Sequence, residues 1–174
     1  MAIGIPEAQR SLIGDHVRRC SQLAPALRWV PPANLHLTLR FIGQTSPRLL
    51  ELLREGLAEV PLSPFRLGLG GAGTFGRRTR ARVCWLGVVE GESPLQGLAA
   101  EIETACRAAG LRAESREYNP HLTLGRARER EGVELPGLPA PPAIPPWRVE
   151  EFSLYRSHLG GGGPTYEKLE TFSI

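Results

Sequence analysis

Residues 34–43, NLHLTLRFIG, alternate apolar and polar side chains, with Leu35, Leu37, Leu39 and Phe41 on one face and Asn34, His36, Thr38 and Arg40 on the other. A period of two marks a half-buried strand, here over about 35–42. Before it, Leu12, Ile13, His16, Val17, Cys20 and Leu23 recur at helical spacing behind Pro6, which predicts a helix from Pro6 to about Ala24. His16 falls on that stripe and reads as a packed or half-exposed helix histidine. Ser46-Pro47 is a cap followed by a favoured first helical residue. It opens a second helix to about Val60, carrying Leu49, Leu50, Leu53 and Leu57. Ser93-Pro94 repeats that signature for a third helix, with Leu95, Leu98, Ile102 and Cys106 inward and Gly110 as its stop.

Strand patterns over 65–71 and 82–89 flank a loop, AGTFGRRTRA, and another strand is expected over about 121–126. Residues 132–146 hold six prolines and read as a surface excursion with no regular element. WRVEEFSLYRS and PTYEKLETFSI read as two closing strands joined by a turn at HLGGGG. Helices and strands in this mixed order point to an α+β fold with antiparallel pairing. The halves are alike, each with a Pro-initiated helix followed by an HLTL strand.

The 174 residues fit one domain of two small lobes, taken as 1–174. No run approaches the roughly 20 apolar residues that span a bilayer, and the N-terminus lacks the basic and apolar regions of a secretory signal. Cys20, Cys84 and Cys106 form no CxxC pair, so a reducing cytoplasm is the expected compartment. The net charge is +3, and Lys168 is the only lysine among 21 basic residues. Arginine presents a planar fork suited to phosphate, although a coding bias toward Arg accounts for the overall excess equally well. RRTRAR (77–82) could guide an RNA backbone, but a charged hairpin tip is the commoner meaning of such a run.

Candidate chemistry lies in a repeat. HLTL occurs at 36–39 and again at 121–124, 85 positions on, in a chain with four histidines. Composition alone puts Leu-Thr-Leu after a given histidine with a chance of about one in a thousand. In a strand, residues i and i+2 share a face. His36 and Thr38 therefore project together, as do His121 and Thr123, while the leucines enter the core. Side by side, the two strands bring two imidazoles and two hydroxyls to one groove. Two histidines near neutrality can serve as a base and an acid at once, and two hydroxyls can bind the non-bridging oxygens of an anion. That set suits in-line attack on a phosphodiester, with no side-chain nucleophile, metal or cofactor. A metal site would want a third histidine or a nearby carboxylate. The one aspartate, Asp15, lies on a helix, no GxSxG occurs, and GLGGAG (68–73) lacks a P-loop ending.

With these motifs the sequence resembles the two-histidine phosphoesterase superfamily, and within it the RNA 2′,3′-cyclic phosphodiesterases historically called 2′-5′ RNA ligases (LigT-like). The paired HxTx motifs carry the resemblance, supported by AIGIPE (2–7), PPANLHLTLRFIGQ (31–44), GTFGRRTRARVCWLGV (73–88), YNPHLTLGRAR (118–128) and FSLYRSHLGGGGPTYEKLETFSI (152–174). Members of the family begin several residues earlier, so Met1 falls inside the matching first strand. The resemblance implies a bilobal α+β fold of two pseudo-symmetric antiparallel sheets flanked by helices around a central groove. It implies metal-independent hydrolysis of RNA or nucleotide 2′,3′-cyclic phosphate to a 2′-phosphomonoester by a monomer. It makes His36 the proton donor to the departing 3′ oxygen and His121 the base that activates water. Thr38 and Thr123 would hold the phosphate, and Arg126 matches a family arginine that contacts it. Residue chemistry alone leaves open which histidine is the acid. Joining or cleaving a 2′-5′ linkage on the same groove remains an alternative, as does a binding module for RNA ends without turnover. Tyr118 and Phe75 are candidates to stack on a base, though core or loop packing is the commoner fate of such residues. His158 reads as exposed, and Trp85 and Trp147 as core.

Overall fold

A computed structural model describes residues 1–61, 63–77, 79–160 and 163–173, apart from the side chain of Leu159. Along the chain it forms β1 (Ala2–Gly4), α1 (Glu7–Leu23), β2 (Leu27–Trp29), a 3-10 turn (Pro32–Asn34), β3 (His36–Thr38), α2 (Pro47–Ala58), β4 (Phe65–Arg77), β5 (Arg80–Glu90), α3 (Glu92–Ala108), β6 (His121–Ala127), β7 (Val133–Glu134), β8 (Trp147–Val149), β9 (Glu151–Gly160) and β10 (Gly163–Ser173). Two antiparallel sheets result. One has the order β10-β9-β1-β3, and the other β2-β6-β5-β4-β8 with β7 also on β5. The fold is α+β with two sheets and flanking helices. The motif strands come one from each sheet, and β3 runs beside β6.

The helices form where the pattern places them, for local reasons. Pro6 caps α1, and Ile13, Val17 and Cys20 are buried at helical spacing along it. His16 is buried in the same stripe, with its Nε2 3.5 Å from Cys20 Sγ. Ser46 Oγ accepts from Leu49 N at 3.3 Å, as the cap-plus-proline signature predicts. The start of α3 differs. The cap is Gly91, in the left-handed region, and Ser93-Pro94 lie in the first turn, where a missing N–H is tolerated. A side chain at Gly91 would run into the Arg66 carbonyl, so only glycine fits. Gly110 stops α3 with φ of 101°, and Leu111 N closes back on Cys106 O at 3.0 Å.

Four strand expectations change. The first HLTL strand ends at Thr38 rather than near residue 42, because Leu39 N and Arg40 N both turn to Met1 O. Arg40 then ion-pairs with Glu103 and Glu114, and Phe41 is left 74% exposed instead of joining the leucine face. The expected loop AGTFGRRTRA is mostly strand: β4 and β5 form one long hairpin whose glycines and three register shifts hide the period of two. Its tip includes Arg78, outside the described residues. The proline-rich excursion contributes the two-residue strand β7. WRVEEFSLYRS is two strands, since β8 pairs with β4 in one sheet and β9 with β1 in the other. β9 runs through His158 to Gly160, and Gly161 and Gly162 of the expected turn lie outside the described residues. β2 has no sequence signal, because three residues are too few to show a period.

One core cluster joins Ile3, Leu37, Phe152 and Leu154 of the first sheet to Leu67, Leu86, Leu122 and Leu124 of the second. Ile13, Leu53, Leu57, Leu95, Leu98 and Ile102 of the helices complete it. The motif leucines thus anchor both strands. Among the described residues no helix is long and apolar enough to cross a membrane.

Leu37 has no exposed surface and Phe41 is largely exposed. Leu37→Ala is expected to cost about 2–5 kcal/mol by urea denaturation. Phe41→Ala is expected to stay within about 0.5 kcal/mol, whereas equal costs would restore the longer strand.

Candidate active site

Each motif histidine is held by the carbonyl two residues before it. His36 Nδ1 lies 2.8 Å from Asn34 O, and His121 Nδ1 lies 2.7 Å from Asn119 O. A carbonyl only accepts, so in each neutral ring Nδ1 carries the proton and Nε2 keeps a free lone pair. The local chain sets this up differently in the two strands. Before β3, the 3-10 turn delivers Asn34. Before β6, Pro120 disfavours helical backbone at Asn119. The repeat is therefore NxHLTL, and the identical asparagines were a signal present in the sequence. Asn34 has a second contact: its Nδ2 donates to Pro164 O of β10 at 2.7 Å.

Register places the histidines and threonines on one face. In the first sheet His36 pairs opposite Gly4 and Thr38 opposite Ala2, so the strand beside them presents no bulk. In the second sheet His121 lies opposite Gly87 and Thr123 opposite Trp85. Trp85 in turn covers Gly73, where any side chain would overlap its ring. Trp85 is half-buried and borders His121 rather than lying in the core, while Trp147 is buried as expected. Phe75 meets the His121 ring edge-on at 4.9 Å and lies 5.2 Å from Trp85. Across the site Tyr166 meets His36 edge-on at 4.8 Å, and Tyr155 stacks at 6.4 Å. Neither tyrosine was picked out by sequence.

Two bulges decide which side chains share this face. On β6, Thr123 pairs with Trp85 and Gly125 with Cys84, which leaves Leu124 as an extra residue. Strict alternation from His121 would send Arg126 to the opposite face. The bulge shifts the phase by one, and Arg126 Nη2 comes within 3.4 Å of Thr123 Oγ1. On β10, Lys168 pairs with Tyr155 and Glu170 with Leu154, so Leu169 is extra. That shift puts Tyr166 and Lys168 on the face of His36. Tyr118 spans the sheets: its hydroxyl donates to Thr38 O at 3.2 Å, and burial raises its pKa. The Tyr118 hydroxyl is thus engaged with the β3 backbone.

A cavity of about 460 Å³ opens beside His36, with Gly4, Arg10, Tyr155, Tyr166 and Lys168 among its walls. Gly4 leaves its floor open, since a methyl group there would sit 3.7 Å from Tyr155 Oη. His121, Thr38, Thr123 and Arg126 stand outside these walls. Burial lowers the His36 pKa; the Asn34 carbonyl opposes this, and the N-terminal amine and Arg126 add to the lowering. His158, exposed as expected, bonds Glu167 at 2.9 Å. Among the described residues no three His, Cys, Asp or Glu side chains cluster as metal ligands.

A family model described as the 2′-5′ RNA ligase superfamily matches residues 7–161. An RNA 2′,3′-cyclic phosphodiesterase of Geobacillus stearothermophilus is 32% identical over 180 residues, covering all of this chain, which spans 56% of that protein. One from Methanothermobacter thermautotrophicus is 33% identical over 186 residues, with 100% of this chain and 97% of that protein covered. The crystal structure of E. coli LigT complexed with 3′-AMP superposes with a TM-score of 0.84 at 29% identity, covering 99% of this chain and 95% of that one.

The ring of His36 is expected to titrate below the ordinary value of about 6.5 when followed by NMR. Between the two pKa values the unfolded chain binds more protons than the folded one. Stability therefore rises with pH through that window and is lost as pH falls below about 6.5. Inorganic phosphate, bound beside the ring, is expected to move the midpoint up. A midpoint at or above the ordinary value in the free protein would contradict the burial.

Proposed function

The chain belongs to the 2′-5′ RNA ligase superfamily, and from that premise we propose that it hydrolyses the 2′,3′-cyclic phosphate of RNA ends or nucleotides to a 2′-phosphomonoester, without a metal ion. The observation that carries this reading is the matched pair of histidines on adjacent strands. Each has Nδ1 committed to a backbone carbonyl and Nε2 free to exchange a proton.

In the proposed reaction His121 Nε2 takes a proton from water as the water oxygen attacks phosphorus. The bond from phosphorus to the 3′ oxygen breaks in line, and that oxygen takes a proton from His36 Nε2. The 2′ oxygen keeps the phosphate. Solvent then removes the proton from His121 and returns one to His36. His36 must enter this cycle protonated, although burial favours its neutral form in the free protein. A bound phosphodiester monoanion supplies the opposite charge that raises it. Thr38 and Thr123 hydroxyls donate to the non-bridging oxygens, and Arg126, already beside Thr123, adds positive charge. Replacing the attacking water with a 5′-hydroxyl would yield a 2′-5′ linkage by the same proton path.

Turnover of a nucleoside 2′,3′-cyclic phosphate is expected to fall about 10²–10⁴-fold in His36→Ala and in His121→Ala, and to be unchanged by EDTA. Phosphorus NMR will show a 2′-monoester. Full activity in either variant, or a loss of activity with EDTA, contradicts the mechanism. Tight binding with no product points to a binding module instead.

A further inference from the structure

β2 lies on the edge of the second sheet against β6, and Val30 N continues the contact on Leu124 O at 2.8 Å before the chain turns toward β3. In this register Arg28 stands directly opposite Arg126. Opposed residues of antiparallel strands point to the same face, about 4.5–5.5 Å apart at Cβ. Leu27 is buried, and the Trp29 ring packs over Gly125 on the other face, so Arg28 shares the face of Arg126, Thr123 and His121.

Two like charges placed directly across a ladder repel. Two other such pairs occur among the described residues: Arg66 opposite Arg148, where Arg66 Nε lies 2.9 Å from Glu90 and Arg148 Nε 2.7 Å from Glu150, and Arg77 opposite Arg80 at the hairpin tip, where Arg80 Nη2 lies 3.5 Å from Glu129. Among the described residues neither Arg28 nor Arg126 has a carboxylate within ion-pair distance. Of these three pairs among the described residues, the one beside the histidines has no carboxylate on either member. Arg126 also touches Thr123, so the pair begins at the reacting phosphate and extends away from it along β6.

We propose that Arg28, set across from Arg126, makes a second phosphate subsite, which binds the phosphate on the 5′ carbon of the nucleotide whose cyclic phosphate lies between the histidines, while Arg126 stays with the reacting phosphate and borders the subsite. This rests on the cyclic phosphodiesterase reading. A terminal nucleotide in RNA always carries that 5′ phosphate, and a bare nucleoside 2′,3′-cyclic phosphate does not. The subsite therefore makes the enzyme select a nucleotide within a chain, or a 5′-phosphorylated one, over a nucleoside. Arginine suits the task because its fork binds two phosphate oxygens at once.

The test measures kcat/KM for three substrates: a nucleoside 2′,3′-cyclic phosphate, the same compound with a 5′-phosphate, and a dinucleotide ending in the cyclic phosphate. The parent protein is expected to prefer the second and third over the first by about tenfold or more. In Arg28→Gln that ratio is expected to fall toward one, and the slope of log KM against log salt to drop by about one for the phosphorylated substrates. A ratio cancels any general loss of folded enzyme. Arg107→Gln, on the exposed end of α3, removes the same charge elsewhere and is expected to keep the parent ratio. Equal gains from the monoester and the dinucleotide support a phosphate subsite. A gain from the dinucleotide alone moves recognition to the chain beyond and overturns the proposal, as does a parent ratio of one or a ratio unchanged by Arg28→Gln. If the parent turns over none of the three, the cyclic phosphodiesterase reading fails. The subsite is then tested by titrating nucleoside 2′-phosphate with and without a 5′-phosphate, where no loss of the 5′-phosphate advantage in Arg28→Gln overturns it.

Discussion

Two hydrogen bonds govern what this site can do: His36 Nδ1–H to Asn34 O and His121 Nδ1–H to Asn119 O. Each gives one ring nitrogen a permanent task and so presents the other with a defined lone pair. Without them a neutral imidazole would divide between two tautomers and two orientations, and a proton-transfer pair would be aligned only part of the time. Everything else in the site is arranged around rings held in this way. Phe75 and Trp85 border one, and Tyr155 and Tyr166 border the other. The leucines between histidine and threonine lock both strands into the core, so the face that carries the histidines inherits the rigidity of the packing.

The site uses glycine and bulges to make room and to aim side chains. Gly4 opposite His36 adds no bulk beside the ring, and Gly73 accepts the Trp85 indole. The extra residues Leu124 and Leu169 each shift the side-chain phase by one. One shift brings Arg126 beside Thr123, and the other brings Tyr166 and Lys168 to the face of His36. A bulge forgoes some ladder hydrogen bonding, and here the resulting change of direction falls where an anion would bind.

Charge follows the same economy. Several arginines join elements through a carboxylate: Arg40 with Glu103 and Glu114, Arg54 with Glu170, Arg66 with Glu90. Beside the histidines, Arg28 and Arg126 have no such partner among the described residues, and charge in a partly desolvated groove acts more strongly on a phosphate than the same charge in open solvent.

The sequence by itself determined the candidate chemistry and most of the frame. The twin HLTL tetrapeptides singled out His36, His121, Thr38 and Thr123 as candidates, and periods of 3.6 and two located the three helices and the β6 strand. These features were legible because they are local: a side chain's face follows from its position within a regular element. The tertiary structure alone decided what depends on register between distant segments. It ended β3 at Thr38, divided 147–157 between two sheets, converted a glycine-rich loop into a long hairpin and set Arg126 beside Thr123. It also placed Arg28 opposite Arg126 and the two tyrosines against His36. A one-residue shift in pairing reverses every side chain beyond it. Such shifts leave no mark in composition or period, because they are set by the partner strand rather than by the residues that move.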